Sequence, residues 1–273
     1  MRALCLFIAS LFLGIRVCGQ TFTMGKGCQQ QNQTGIALLK EKKYEEAYQT
    51  FSKMESDCKT KDAKEAWAVG KAESLNGLGK FQEAITVSDQ ALKLTKGKSL
   101  PALFQKATAQ NRLKQYEASS ATFSKMILLT EKNQNTKARA SNFALMSALQ
   151  SRQLGQNDSA HYYIDKALSL EPTNTDFVIQ KGDVFFVEKK YDRAFEQYDK
   201  AVQMGKVDLD MYVLRSNGRM KILQEKYGTT NIQQLRSAMT AAEKEQLCSE
   251  LKKAIELGLK DMKQDMAASL ICK

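Results

Sequence analysis

Tyr44-Glu45-Glu46-Ala47, with Phe51 and Met54 four and seven places beyond the alanine, is the stretch that decides the fold. It returns as Phe81-Gln82-Glu83-Ala84 with Ser88 and Ala91, then as Tyr116-Glu117-Ala118-Ser119 with Phe123 and Met126. A fourth copy, weaker at its start, is Asp158-Ser159-Ala160 with Ile164 and Ala167. The fifth is Tyr191-Asp192-Arg193-Ala194 with Tyr198 and Ala201. The anchors at 47, 84, 119, 160 and 194 are spaced by 37, 35, 41 and 34 residues. Twelve residues before each anchor stands a small residue: Gly35, Ala72, Ala107, Ala148 and Gly182.

Residues four and seven apart share one helix face, so each copy has a buried stripe on a second helix. The small residue upstream lets a first helix cross it closely, and the turn aromatic covers the end of the hairpin. Each hairpin buries its apolar faces by stacking on neighbours. The pattern resembles the tetratricopeptide repeat over about residues 30–206, down to Pro172 after Ala167-Leu168-Ser169-Leu170-Glu171. The resemblance implies an all-α, right-handed superhelical solenoid of helix–turn–helix repeats. Three features depart from it: Ser119 at the small anchor, Asn157 at the turn aromatic, and the 41-residue interval, which predicts a loop extension near Thr130–Lys137.

Helix boundaries carry their own signals. Ser99 precedes Pro101, and proline is tolerated in a first turn. Thr173 to Asp176 supplies N-cap candidates. From about Asp208 the register changes. Met211–Tyr227 reads as one helix with Gly218 at the small position, broken by Gly228-Thr229-Thr230-Asn231. A segment Ile232–Met239 follows. Thr240 with Glu243 then predicts a capping box, opening a helix Ala241–Leu257 stopped by Gly258, and a last helix covers Lys260–Cys272. The expected division is a leader over 1–19, a repeat array over 20–210, and a degenerate sixth repeat with a disulfide-linked α-helical C-terminal cap over 211–273.

The leader is read from Met1–Arg2, the apolar run Ala3–Ile15, and Val17 and Gly19 at the −3 and −1 positions of a cut before Gln20. These thirteen residues, apolar apart from Ser10 and Gly14, reach about 20 Å as a helix, short of a bilayer core of about 30 Å. No transmembrane span is therefore expected after cleavage. Lipidation at Cys18 is the competing reading, and Ile15-Arg16-Val17 matches a lipobox poorly. Losing residues 1–19 removes Arg2 and Arg16 and lowers the formal charge from +11 to +9. The chain is expected in the periplasm or cell envelope, or outside the cell.

Four cysteines then remain, and four allow three connectivities. Cys28 opens the first helix of the first hairpin and Cys58 closes the second, so an antiparallel hairpin sets them side by side. Cys248 and Cys272 flank the turn between the last two helices. Helix geometry favours Cys28–Cys58 and Cys248–Cys272, each worth about 3–4 kcal/mol in the loop-entropy model.

The residues offer little chemistry. There is one histidine, His161; it sits on a second helix and has no metal or nucleophile partner in the pattern. Ser56-Asp57-Cys58-Lys59 and Ser249-Glu250-Leu251-Lys252 match Ser-x-x-Lys without its companion motifs. Gly77-Leu78-Gly79 is an inter-helix turn without a phosphate-loop lysine. No enzyme activity, cofactor or metal is expected. Lysines are dispersed rather than gathered with aromatics, which disfavours nucleic acid as a partner. The alternative use of the basic surface is a polyanionic envelope glycan or lipid.

The resemblance implies a scaffold whose inner groove, lined by first helices, holds a protein or peptide. In this register the candidate groove residues are Asn76, Asn111, Arg112, Arg152, Arg215 and Arg219. Arg215 and Arg219 share a helix face and could grip a carboxylate of an acidic ligand. The family's two-carboxylate clamp is absent, because its positions carry Asn32, Ile36, Val69, Glu73, Phe104 and Thr108. The cysteine pairing is checked by peptide mapping without reduction: two linked peptide pairs are expected, and native alkylation of all four thiols would exclude them.

Overall fold

The computed structural model describes residues 24–132, 134–260 and 262–272, with backbone alone at 262–265. The leader and the cut before Gln20 lie outside the described residues. Among those residues the chain forms fourteen α-helices and no strand. It divides into two compact units, the first ending at Gln105 and the second beginning at Lys106.

The first unit holds α1 (Lys26–Lys40), α2 (Tyr44–Asp57), α3 (Lys61–Gly77) and α4 (Phe81–Leu94), and ends within α5 (Leu100–Arg112). Successive helices from α1 to α4 pack on one another, and α1 also meets α3. The anchors Ala47 and Ala84 are fully buried, as are Phe51, Met54, Ser88 and Ala91 behind them. Phe51 fixes the spacing. A Cβ on Gly35 of α1 would lie 2.5 Å from its ring, and one on Gly70 of α3 would lie 2.3 Å away. The ring therefore fills a gap that exists only because both positions are glycine. Tyr44, the turn aromatic, covers Gly77 in the same manner, with a Cβ–ring approach of 2.3 Å. A disulfide joins Cys28 to Cys58, Cα to Cα 5.9 Å, at the open end of the α1–α2 hairpin.

The second unit continues with α6 (Tyr116–Lys132), α7 (Thr136–Arg152), α8 (Asn157–Leu170), α9 (Thr175–Val187) and α10 (Tyr191–Gln203). The third, fourth and fifth anchors, Ser119, Ala160 and Ala194, are fully buried. Ser119 keeps the repeat despite its hydroxyl, which donates to the Ala107 carbonyl oxygen at 3.0 Å. Tyr198 lies over Gly182, where an added Cβ would meet its ring at 2.5 Å.

Two expectations about the fourth repeat are corrected. The small residue is Ser147, not Ala148: Ser147 is fully buried and its hydroxyl donates to Ala160 O at 2.7 Å, whereas Ala148 is half-buried. The cause is an extra turn residue. The other α-hairpin turns span 41–43, 78–80, 113–115 and 188–190, each with its middle residue at positive φ, whereas this one spans 153–156 with Gly155 at φ 64°. The second correction concerns the 41-residue interval. It is not a long loop near Thr130–Lys137, because α6 and α7 are each 17 residues long and absorb most of it. Thr130 is fully buried on α6 and Asn135 caps α7 by accepting Ala138 N–H.

The chain then forms α11 (Leu209–Tyr227), α12 (Ile232–Ala238), α13 (Ala241–Glu256) and α14 (Met262–Ile271). α11 packs on α13 as a sixth hairpin with α12 inserted in its connection, after Gly228 in the left-handed region. Leu223, Leu235, Leu247, Leu251, Ala267 and Ile271 form one apolar cluster there. Fully burying a leucine contributes about 1.5–3 kcal/mol. Cys248 is joined to Cys272, Cα to Cα 5.5 Å, fastening α14 to α13. Asn174 and Thr240 cap α9 and α13, and Thr240 with Glu243 completes a capping box.

Two outcomes follow from this packing. Gly70→Ala should lose about 1–3 kcal/mol of stability in urea titrations through overpacking against Phe51, and Phe51→Leu added to it should recover part of the loss. Glu243 accepts hydrogen bonds from Lys226 Nζ, Thr240 N–H and Tyr227 OH, which hold its carboxyl at about 2. That lies below the unfolded value of about 4.3. Its stabilising effect is therefore complete above that unfolded value and drains as pH falls toward 2. Glu243→Gln should flatten acid unfolding over that window.

Candidate functional site

First-helix residues of the first unit line a cleft of about 340 Å³. α1 supplies Asn32, Ile36 and Leu39, α3 supplies Asp62, Glu65, Val69 and Glu73, and the floor is Phe51 beside Gly70. The register explains the set: Asn32 and Val69 stand three places before the small residue of their repeats, and Ile36 and Glu73 one place after it. The face turned away from the second helix is thereby presented on both α1 and α3. Ile36 is 41% exposed. Phe104, 38% exposed on α5, occupies the place equivalent to Val69.

Carboxylates accompany these apolar groups. Asp62 accepts the backbone N–H of Met24 at 2.9 Å. Glu73 meets Gln105 Nε2 at 3.4 Å, a long contact for a charged acceptor. Glu73 is itself exposed, and the neighbouring protein atoms that desolvate its carboxyl in part raise its pKa. None of the residues lining this cleft is lysine or arginine.

A separate cleft of about 260 Å³ lies in the second unit, lined by Arg152, Asp183, Phe186, Val187, Leu214 and Lys221. Arg152 Nη2 pairs with Asp183 Oδ2, and Tyr198 OH donates to Asp183 Oδ1 at 2.8 Å. Burial raises the Asp183 carboxyl, against the pull of Tyr198 and Arg152. Lys221 Nζ lies 5.4 Å from the centre of the Phe186 ring. Asp183 is thus matched within the cleft by Arg152 and Tyr198.

Of the six residues offered as groove contacts, Arg152 lines a cleft. Asn76 is used within the first unit, donating through Nδ2 to Gln105 O and Oε1 at 3.0 and 2.9 Å. Asn111 is half-buried and Arg112 exposed at the C-terminal end of α5. Arg215 and Arg219 do grip a carboxylate, but the chain's own. Arg215 is 8% exposed; its Nε donates to both Glu250 oxygens at 2.8 Å and its Nη1 pairs with Asp199 at 2.6 Å. Arg219 Nε lies 3.4 Å from Glu250 Oε1, and its guanidinium stacks 4.2 Å above the Phe195 ring. The pair fastens α13 to α10 and α11, and Arg219 also lines a cleft with Glu243 and Gln246. Position on a shared helix face was visible in the sequence; the acid that fills it, 35 residues on, was not.

His161 is packed too, its Nε2 3.0 Å from Glu188 Oε2 and its ring against Phe185. Among the described residues no three His, Cys, Asp or Glu side chains group to hold a metal ion, and no helix is long and apolar enough to cross a membrane.

No protein-family model matches the chain. A curated relative, stress-induced-phosphoprotein 1 of Caenorhabditis elegans, is 39% identical over 49 residues, 18% of this chain and 15% of that protein. Solved structures match more of the fold. PilF of Pseudomonas aeruginosa superposes with a TM-score of 0.56 at 17% identity, covering 89% of this chain and 99% of its own. A thermophilic TPR protein of Thermus thermophilus gives 0.54 at 18% identity, covering 70% and 98%. At these identities the likeness concerns the fold, which is the tetratricopeptide-repeat arrangement of helical hairpins.

Glu250→Ala would leave Arg215 buried without its main partner. A loss of about 3–5 kcal/mol is expected in thermal or urea unfolding. Arg215→Met with Glu250→Leu should cost much less, because both charges leave together.

Proposed function

We propose that this tetratricopeptide-repeat chain is an exported, non-enzymatic scaffold that binds protein or peptide partners in the periplasm or cell envelope. The observation that carries the reading is the first-unit cleft, where first helices leave Ile36 exposed and Val69 half-buried. Exposed apolar groups in a concave surface are a usual mark of a binding site. Export is supported by the leader pattern of residues 1–19 and by two disulfides at the two ends of the chain, which persist in oxidising compartments. On this reading residues 20–210 present the binding surface, and residues 211–273 close the exposed end of the array.

A second reading, attraction to anionic glycan or lipid, draws on exposed Lys42, Lys80, Lys114 and Lys189 at the hairpin turns. Such binding would collapse between low and physiological salt.

The test is affinity capture of residues 20–273 from the source envelope fraction, beside a Val69→Arg variant. A defined protein retained by the wild type and lost by the variant is expected. Retention of no protein, or of salt-sensitive glycan or lipid alone, would contradict the scaffold.

A further inference from the structure

We infer that the first-unit cleft takes an extended segment carrying a lysine or arginine side chain beside apolar ones. The inference rests on the protein-binding reading above and names the chemistry of its partner.

The cleft and the molecule carry opposite charge. The chain has a formal charge of +11, yet Asp62, Glu65 and Glu73 line the cleft and no cation does. Several carboxylates elsewhere have cations at hand. Glu55 holds Lys71 at 2.6 Å, Asp165 holds Lys181 at 2.8 Å, and Glu250 holds two arginines. Glu73 has an amide at 3.4 Å instead, on an exposed carboxyl that its neighbours desolvate in part. A partially desolvated carboxylate with no counter-charge gains most from an arriving cation. Ile36, Leu39 and Val69 beside it offer apolar surface of the width that alternate side chains of an extended segment can cover. The rest of the surface repels a cationic peptide at long range. Preference for one would therefore report the local cleft, while non-specific ion exchange would favour an acidic peptide.

The probes are three acetylated octapeptides: alternating leucine–lysine, leucine–glutamate and serine–lysine. Each is titrated calorimetrically into residues 20–273 with disulfides intact. The leucine–lysine peptide should bind at least tenfold tighter than the other two. Glu65→Gln with Glu73→Gln should weaken it at least tenfold while leaving the melting temperature unchanged or higher. Val69→Lys, which sets a cation in the cleft, should abolish its binding and guards against a double variant that fails to fold. Equal or tighter binding of the leucine–glutamate peptide would overturn the inference. So would leucine–lysine binding indifferent to these variants, or no binding at all. The scaffold reading falls separately, only if envelope capture returns no protein partner.

Discussion

Phe51 lies between two helices only because Gly35 and Gly70 have no side chain, and the first unit is organised around that fit. The ring fills the space between α1 and α3 and sets how closely they approach. The same ring is the floor of the cleft those helices frame. Packing and site are therefore one feature: the aromatic that makes the repeat stack also sets the depth of its concave surface. In the second unit Tyr198 over Gly182 repeats the device, and there the aromatic hydroxyl is spent on Asp183.

Charge is distributed with a similar economy. Three lysines stand at the left-handed middle position of hairpin turns: Lys42, Lys114 and Lys189. Carboxylates on inner surfaces meet two fates. Asp183 and Glu250 are matched by arginines of the same chain. Glu65 and Glu73 line a cleft without a cation. That contrast separates a surface already satisfied by its own chain from one with interaction still to give.

The repeat register was legible because it depends on residue size at fixed helical spacing. All five anchors, and the residues four and seven beyond them, are buried as that spacing predicts. Where one residue was inserted, at Gly155, the spacing shifted by one and the small position passed from Ala148 to Ser147. The 41-residue interval misled because polar Asn133-Gln134-Asn135-Thr136 marks a boundary without revealing that the flanking helices are longer. Residue type alone said less about the site. Arg215 and Arg219 read as cations on one helix face, and the acid between them, Glu250, lies 35 residues on, on α13. Ile36, Val69 and Glu73 were identified as inner-face positions, but as failures of a known clamp rather than as a surface with its own chemistry. Lys71 had no sequence signal at all. It is buried beside Glu55 and the rings of Tyr48 and Trp67, a set assembled from two helices.

The central claim is that the first-unit cleft is where a partner sits. Hydrogen–deuterium exchange of residues 20–273, free and saturated with a captured partner, locates the contact directly. New protection should fall on residues 32–39 and 65–73. Protection confined to the outer faces of α2 and α4, or to residues 211–272, would contradict it.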